Sequence, residues 1–331
     1  MARRQSILAD MTRSKPVTLP PRLGAGARIG IVAPSGPCLE QDDFTRAVEL
    51  CRALGLEPVL GPHVRDRLGY LAGSDAGRLA DLNAALRDPA TDAVWCIRGG
   101  YGMTRILEDV DFAALKKRPK AIIGFSDITA LLNGALQEAG VVTFHGPTAR
   151  NPMPEFSLRQ FDQVLRNAEP AGKLERLPQA PGVQAARENR IVTLREGVAE
   201  GPLVGGNLSL LQCLIGTRFL PDLSGAILFL EDVGEALYRV DRMLAHFRAV
   251  GALSRLAGVL VGRFTDMKRD NGDGAFGFDE VLEQYFGGLG IPVAYGFPVG
   301  HIDSQWTVPL GVRARMDATN GEVELLEAAV T

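Results

Sequence analysis

The side chains in this sequence that could do chemistry are one serine at a turn, a few carboxylates and four histidines. Ser126 stands in Ala121-Ile122-Ile123-Gly124-Phe125-Ser126-Asp127-Ile128. A short apolar run ends there at Gly124, and a second run with helical spacing starts at Ile128. The pattern reads as strand, abrupt turn, helix, with the serine at the turn. A hydroxyl so placed lies at the carboxyl edge of a sheet. The nearby N–H groups of the helix N-terminus have no partner within the helix and can stabilise developing negative charge. The plainer alternative is that Ser126 or Asp127 only caps the helix.

As a nucleophile, Ser126 needs a base, and the base usually needs an acid to orient it. His63 follows a Gly-Pro turn and His246 sits mid-helix, so neither is marked out. His145 ends an apolar run, and His301 lies in the Gly/Pro-rich loop Gly296-Phe297-Pro298-Val299-Gly300-His301. Loops of that kind often carry function, so both remain candidates for the base. Glu231 directly follows the apolar run Ala226–Leu230 and would project at the end of a buried strand, as an orienting acid or as a cap for the next helix. Asp127, the other acid at hand, is better suited to offering its backbone N–H.

The elements that must position these groups alternate. Strands are expected at 28–33, 57–60, 93–97, 120–123 and 141–144, with helices at 41–54 and 74–86, partial helix at 104–115, and a helix after Ile128. That order implies an α/β fold, a mostly parallel, Rossmann-like sheet flanked by helices, with its site at the carboxyl ends of the strands. The loops Ala33–Pro37, Arg98–Gly102, Phe125–Asp127 and His145–Pro147 would gather there. No GxGxxG follows the first strand, so there is no dinucleotide fingerprint. Residues 1–26 read as a flexible arm, 27–160 as the nucleophile domain and 161–200 as a crossover, the pattern having already broken down at about Asn151. Residues 201–331 read as a smaller C-terminal α+β domain carrying Glu231 and His301, closed by a hairpin over 311–326.

The 331 residues suit about two domains. A net charge of −3 leaves no basic footprint for nucleic acid. The four cysteines form no short-spaced pair, which predicts buried free thiols in a reducing compartment. No metal-ligand spacing occurs, and the loop 266–274 fails the calcium-loop register in either frame, so it reads as solvated. Neither a signal-peptide pattern nor an apolar run long enough to span a membrane is visible, so a cytoplasmic protein with no metal or cofactor is expected.

The chain resembles the LD-carboxypeptidase family of serine peptidases, which includes muramoyltetrapeptide carboxypeptidase and the microcin C self-immunity peptidase. The resemblance rests on Ile31–Pro37, Arg98-Gly99-Gly100-Tyr101-Gly102, Gly124-Phe125-Ser126-Asp127, Leu203–Leu208, Phe229–Glu235 and Pro298-Val299-Gly300-His301, in the family's order. It implies a catalytic triad of Ser126, Glu231 and His301, with His145 as a neighbour. It also implies an oxyanion hole made by the N–H of Asp127 and of a glycine in the Arg98–Gly102 turn, Gly100 favoured and Gly99 the rival. With Ser126 in one domain and its partners in the other, the site must lie between them.

The substrate that the resemblance implies is a muropeptide, cut at the L,D-bond before a terminal D-alanine during peptidoglycan recycling, by an enzyme that tends to dimerise. Releasing one residue calls for a group that binds its free carboxylate. Arg98, Gly99, Tyr101, His145, the turn at Gly206 and Asn207, and Arg239 are the substrate-binding candidates. The microcin-type branch, which cleaves peptidyl- or aminoacyl-nucleotides, is expected to carry an aromatic in the crossover to stack on the base, notably tryptophan. The only tryptophans are Trp95 and Trp306, outside that segment. A reading of another class is a non-catalytic α/β protein that binds a small ligand.

Overall fold

A computed structural model describes residues 17–178, 189–268 and 276–331. Most of the loop expected as solvated, residues 269–274, lies outside the described residues, as does the middle of the crossover, 179–188.

The strands run in chain order as β1 Arg28–Val32, β2 Glu57–Leu60, β3 Ala93–Cys96, β4 Ala121–Gly124, β5 Thr143–His145, β6 Gly172–Lys173 and β7 Val192–Arg195. They continue as β8 Val198–Asn207, β9 Ile227–Val233, β10 Gly258–Thr265, β11 Val293–Tyr295, β12 Val308–Leu310, β13 Arg313–Asp317 and β14 Glu322–Leu325. Two sheets result. The first has the order β12-β5-β4-β3-β1-β2 and is parallel except for β12. The second has the order β6-β14-β13-β8-β9-β10-β11-β7, with β8 to β11 parallel and antiparallel flanks. The α/β expectation for the first sheet holds. Buried strands such as Ala93–Cys96 and Ala121–Gly124 are covered on both faces, which their uninterrupted apolar runs require.

In the first sheet the strand order reverses between β1 and β3, so the loops after them part there and leave a crevice. Helix Asp75–Arg87 starts where expected, with the Ser74 hydroxyl accepting from the Gly77 N–H at 3.1 Å. Helix Thr129–Ala139 follows the Ser126 turn and reaches the second sheet. Asn133 Nδ2 donates to Gly205 O at 2.9 Å, and the Asn207 N–H donates to Thr129 Oγ1 at 3.0 Å. The two sheets are thus joined through the helix that follows the serine turn.

Several expectations need correction. Residues 17–26 of the expected arm are tied down: Leu23 is buried, its N–H donates to Leu165 O at 2.8 Å, and Arg22 N–H donates to Thr331 O at 3.1 Å. The segment after Asn151 contains a helix, Glu155–Leu165, that packs Phe156, Phe161, Val164 and Leu165 inward. The turn foreseen at Gly205–Asn207 is the end of the ten-residue strand β8. Strand β12, from the C-terminal half, closes the edge of the first sheet against β5. Of the thiols only Cys51 and Cys96 are buried, and Cys213 is exposed.

Candidate active site

Ser126 is half-buried and has φ of +65°, one of two non-glycine residues on the positive side among the described residues. That backbone costs on the order of 1–3 kcal/mol and is retained only where the surroundings impose it. The surroundings here are Gly99 and the helix start. A Cβ on Gly99 would lie 2.8 Å from Ser126 Cβ and 3.0 Å from its Oγ, so only glycine lets the Arg98–Gly102 turn close over the serine. Gly99 O accepts the Gly36 N–H at 3.0 Å. In a trans peptide the Gly100 N–H must then point the opposite way, away from the β1 loop. Asp127 is the second residue of the short 3-10 turn Ser126–Ile128 that leads into helix Thr129–Ala139, so its own N–H is at a helix start.

The Asp127 side chain has a separate task. It is buried, and its Oδ2 accepts the Met103 N–H at 2.8 Å, where the chain leaves the Arg98–Gly102 turn. Burial pushes its carboxyl above the usual range, and the Met103 bond works against that. Arg78 adds a clamp that no motif had marked. It is buried, and one nitrogen serves both Pro34 O and Gly102 O, the latter at 2.9 Å. The loops after β1 and β3 are therefore fixed to each other from below.

The second sheet supplies a carboxylate and an imidazole. Glu231 is fully buried within β9, and its Oε2 accepts from His301 Nδ1 at 2.8 Å. Burial pushes the Glu231 carboxyl up, while the bond and charge of His301 pull it back. A ring that donates from Nδ1 leaves Nε2 free as an acceptor. Gly300, at φ +124°, permits the close approach, since a Cβ there would lie 2.9 Å from Glu231 Oε2. The His301 ring meets the Phe125 ring edge-on, centroids 4.8 Å apart, and Phe125 is the residue before Ser126. The structure thus brings the Glu231–His301 pair against the serine turn.

The remaining candidates lie in different surroundings. His145 is fully buried behind Phe125 and Phe229, with ring centroids at 5.9 and 5.4 Å. Burial, with a smaller push from His301, lowers its pKa to about 3, so it is neutral at ordinary pH. Its ring packs against Phe125 from within the core. Tyr101 is exposed and meets Tyr70 edge-on at 5.6 Å. Arg98 is half-buried and donates to Pro37 O. Gly206 and Asn207 belong to the joint between the sheets. A Cβ on Gly206 would strike Thr129 Oγ1 at 2.6 Å, and Asn207 is buried, capping helix Leu208–Leu214 and donating to Asp232 at 2.9 Å. Arg239 finds its partners locally, Glu235 at 3.6 Å and Tyr238 at 3.2 Å. His63 pairs with Asp81 at 2.8 Å and His246 with Gln212 at 3.2 Å.

Sequence reasoning missed Ser157. Ser157, in the unforeseen helix, is fully buried and grips the chain beyond His301. It accepts the Gln305 N–H at 2.9 Å and donates to Asp303 O at 3.2 Å. Trp306 Nε1 donates to Glu175 O at 2.7 Å, and Trp95 is stacked on Phe161, so both tryptophans are committed to the interior. Among the described residues no group of three or more His, Cys, Asp and Glu side chains is placed to hold a metal ion, and no helix is long and apolar enough to cross a membrane.

Comparison with known proteins bears on the same two halves. Residues 29–146 match the family described as LD-carboxypeptidase N-terminal domain, and residues 200–316 its C-terminal domain. The probable murein peptide carboxypeptidase of Bacillus subtilis is 36% identical over 94% of this chain and 95% of its own. A solved muramoyltetrapeptide carboxypeptidase from Oxalobacter formigenes is 32% identical, with a TM-score of 0.76 over 90% of this chain and 98% of that one. MccF, a microcin self-immunity protein solved with glutamyl sulfamoyl guanosine, is 25% identical, with a TM-score of 0.84 over 95% of this chain and 99% of that one.

Proposed function

The chain belongs to the LD-carboxypeptidase family of serine-type carboxypeptidases, and on that premise we propose that it removes the terminal D-alanine from a murein tetrapeptide using Ser126, His301 and Glu231. The observation that carries the reading is the seating of the Glu231–His301 pair, bonded at 2.8 Å, on Phe125 beside the strained Ser126. Glu231 keeps the proton on Nδ1, so Nε2 takes the Ser126 hydroxyl proton as Oγ attacks the carbonyl before D-alanine. The N–H groups of Gly100 and Asp127 hold the oxyanion. His301 then returns the proton to the leaving amine, and water, activated by the same imidazole, releases the shortened peptide. The orientation of the Gly99–Gly100 peptide supports Gly100 over Gly99 as the donor.

In this reading the enzyme works on recycled muropeptides in the cytoplasm, as a homodimer, which size-exclusion chromatography with light scattering would check. The alternative substrate, an aminoacyl-nucleotide, is favoured by the close backbone match to MccF. Against it stand the two buried tryptophans, neither free to stack on a base, and the higher identity to the murein enzyme. Mass spectrometry of a murein tetrapeptide and of an aminoacyl sulfamoyl adenylate, each incubated with wild type and Ser126→Ala, decides between them. Loss of D-alanine with the wild type alone supports the proposal. Cleavage of only the adenylate supports the alternative. Cleavage of neither leaves a ligand-binding protein.

A further inference from the structure

Beside the serine turn, the loops after β3 and β5 each carry an arginine that the hydrolytic steps do not use. Arg98 directly precedes Gly99, whose backbone rests on Ser126. Arg150 directly follows Ala149, whose N–H donates to Cys96 O at 3.1 Å, so the loop beyond β5 crosses the end of β3 where Arg98 begins its turn. Asp43, in the first turn of helix Asp42–Ala53 and almost fully buried, accepts from Arg46 at 2.7 Å and from Arg150 at 3.3 Å. The Cys38 thiol, one residue after Pro37, is pushed up to about 11 by burial and by Asp43, while Arg150 and Arg98 pull it the other way.

The charges do not cancel evenly. Arg46 is turned to two acids of its own helix, Asp42 at 2.9 Å and Asp43 at 2.7 Å. Arg150 has only the longer contact to Asp43, and its Nε is buried without a partner. Arg98 donates to the Pro37 carbonyl and has no carboxylate partner among the described residues. A carbonyl orients a guanidinium without neutralising it, and a guanidinium with unused donors favours a carboxylate. Arg239 is less suited, since Glu235 already faces it.

We infer that Arg98 and Arg150 form the subsite for the free terminal carboxylate of the residue that is released. Asp43 and Pro37 act as the acceptors that hold the two side chains in place. The inference rests on the carboxypeptidase reading, and the experiment separates the two. Steady-state kinetics are measured on a tetrapeptide with a free terminal carboxylate and on the same peptide with a terminal amide, for wild type, Arg98→Gln, Arg150→Gln and Arg150→Lys. Wild type is expected to prefer the free acid by about a hundredfold. Each glutamine variant is expected to lose about ten- to a hundredfold in kcat/KM on the acid relative to the amide, mainly through KM, with Arg150→Lys recovering part of it. Thermal melting of each variant separates this from a failure to fold. Undiminished preference for the free acid in both folded glutamine variants would overturn the subsite while leaving the peptidase reading intact. A wild type that cleaves neither peptide would remove both.

Discussion

The two sides of the site are built in opposite ways. The serine side is local. Strand β4, a forced positive φ and helix Thr129–Ala139 follow one another in the chain, and the Arg98–Gly102 turn needs only the neighbouring strand β3 to reach them. The imidazole side is assembled from distant pieces: Glu231 from inside β9, His301 from a loop 70 residues later, and Ser157 from a helix before either. Local geometry makes the first side stiff, with strain held by a strand and a helix. The second side depends on packing between segments, so its faults should show as misplacement of the ring and not as loss of fold.

This contrast can be broken or sharpened by substitution. Replacing Glu231 by Gln removes the acceptor that fixes the tautomer while keeping the shape. We expect kcat to fall by about 10⁴-fold with KM little changed, measured on the tetrapeptide. Gly99→Ala attacks the serine side by placing a methyl against Ser126, and kcat is expected to fall by roughly 10²- to 10³-fold. Ser157→Ala loosens only the loop beyond His301. About a tenfold loss in kcat at constant KM is expected, with the fold intact by circular dichroism. Equal losses for Gly99→Ala and Ser157→Ala would erase the distinction between a stiff side and a packed one.

The smallest effect concerns stability and pH. His145 is held neutral by burial, its folded pKa of about 3 lying below the unfolded value of roughly 6.5. The unfolded chain therefore binds the proton first, and stability drops as pH falls below about 6.5, levelling off near the folded value. The slope from this one group is about 1.4 kcal/mol per pH unit. Glu231, whose carboxyl is raised, acts in the opposite sense, because its folded form gains stability as it protonates. Urea titrations of wild type and His145→Gln at pH 7.5 and 5 isolate the histidine by difference. The wild type is expected to lose about 2 kcal/mol more than the variant.

The same contrast explains what could be read from the sequence. The serine turn was legible because strand, turn and helix are contiguous, and the parallel sheet because its buried strands are unbroken apolar runs. Spacing alone could not choose His301 over His145, since both follow strands. The choice between them rests on the ordered motifs; in the structure His301 pairs with Glu231 while His145 lies sealed in the core. Helix Glu155–Leu165 was hidden by flanking prolines and by Ser157 and Gln160 on its buried face, which interrupt the apolar period. Strand β12 carries Pro309, which a central strand would not tolerate but an edge strand does. Strand β8 read as a turn because its end is Gly205-Gly206, small for the sake of the joint and not for a reversal of the chain.

The central claim is that the two sides act as one unit. It is tested most directly by kcat/KM on the tetrapeptide for Ser126→Ala, His301→Ala and the double variant. If Ser126 and His301 serve the same proton transfer, each single change should cost about as much as both together, on the order of 10⁴-fold or more, and the double variant should be no worse. Losses that multiply in the double variant, or a His301→Ala enzyme that keeps most of its rate, would contradict the account.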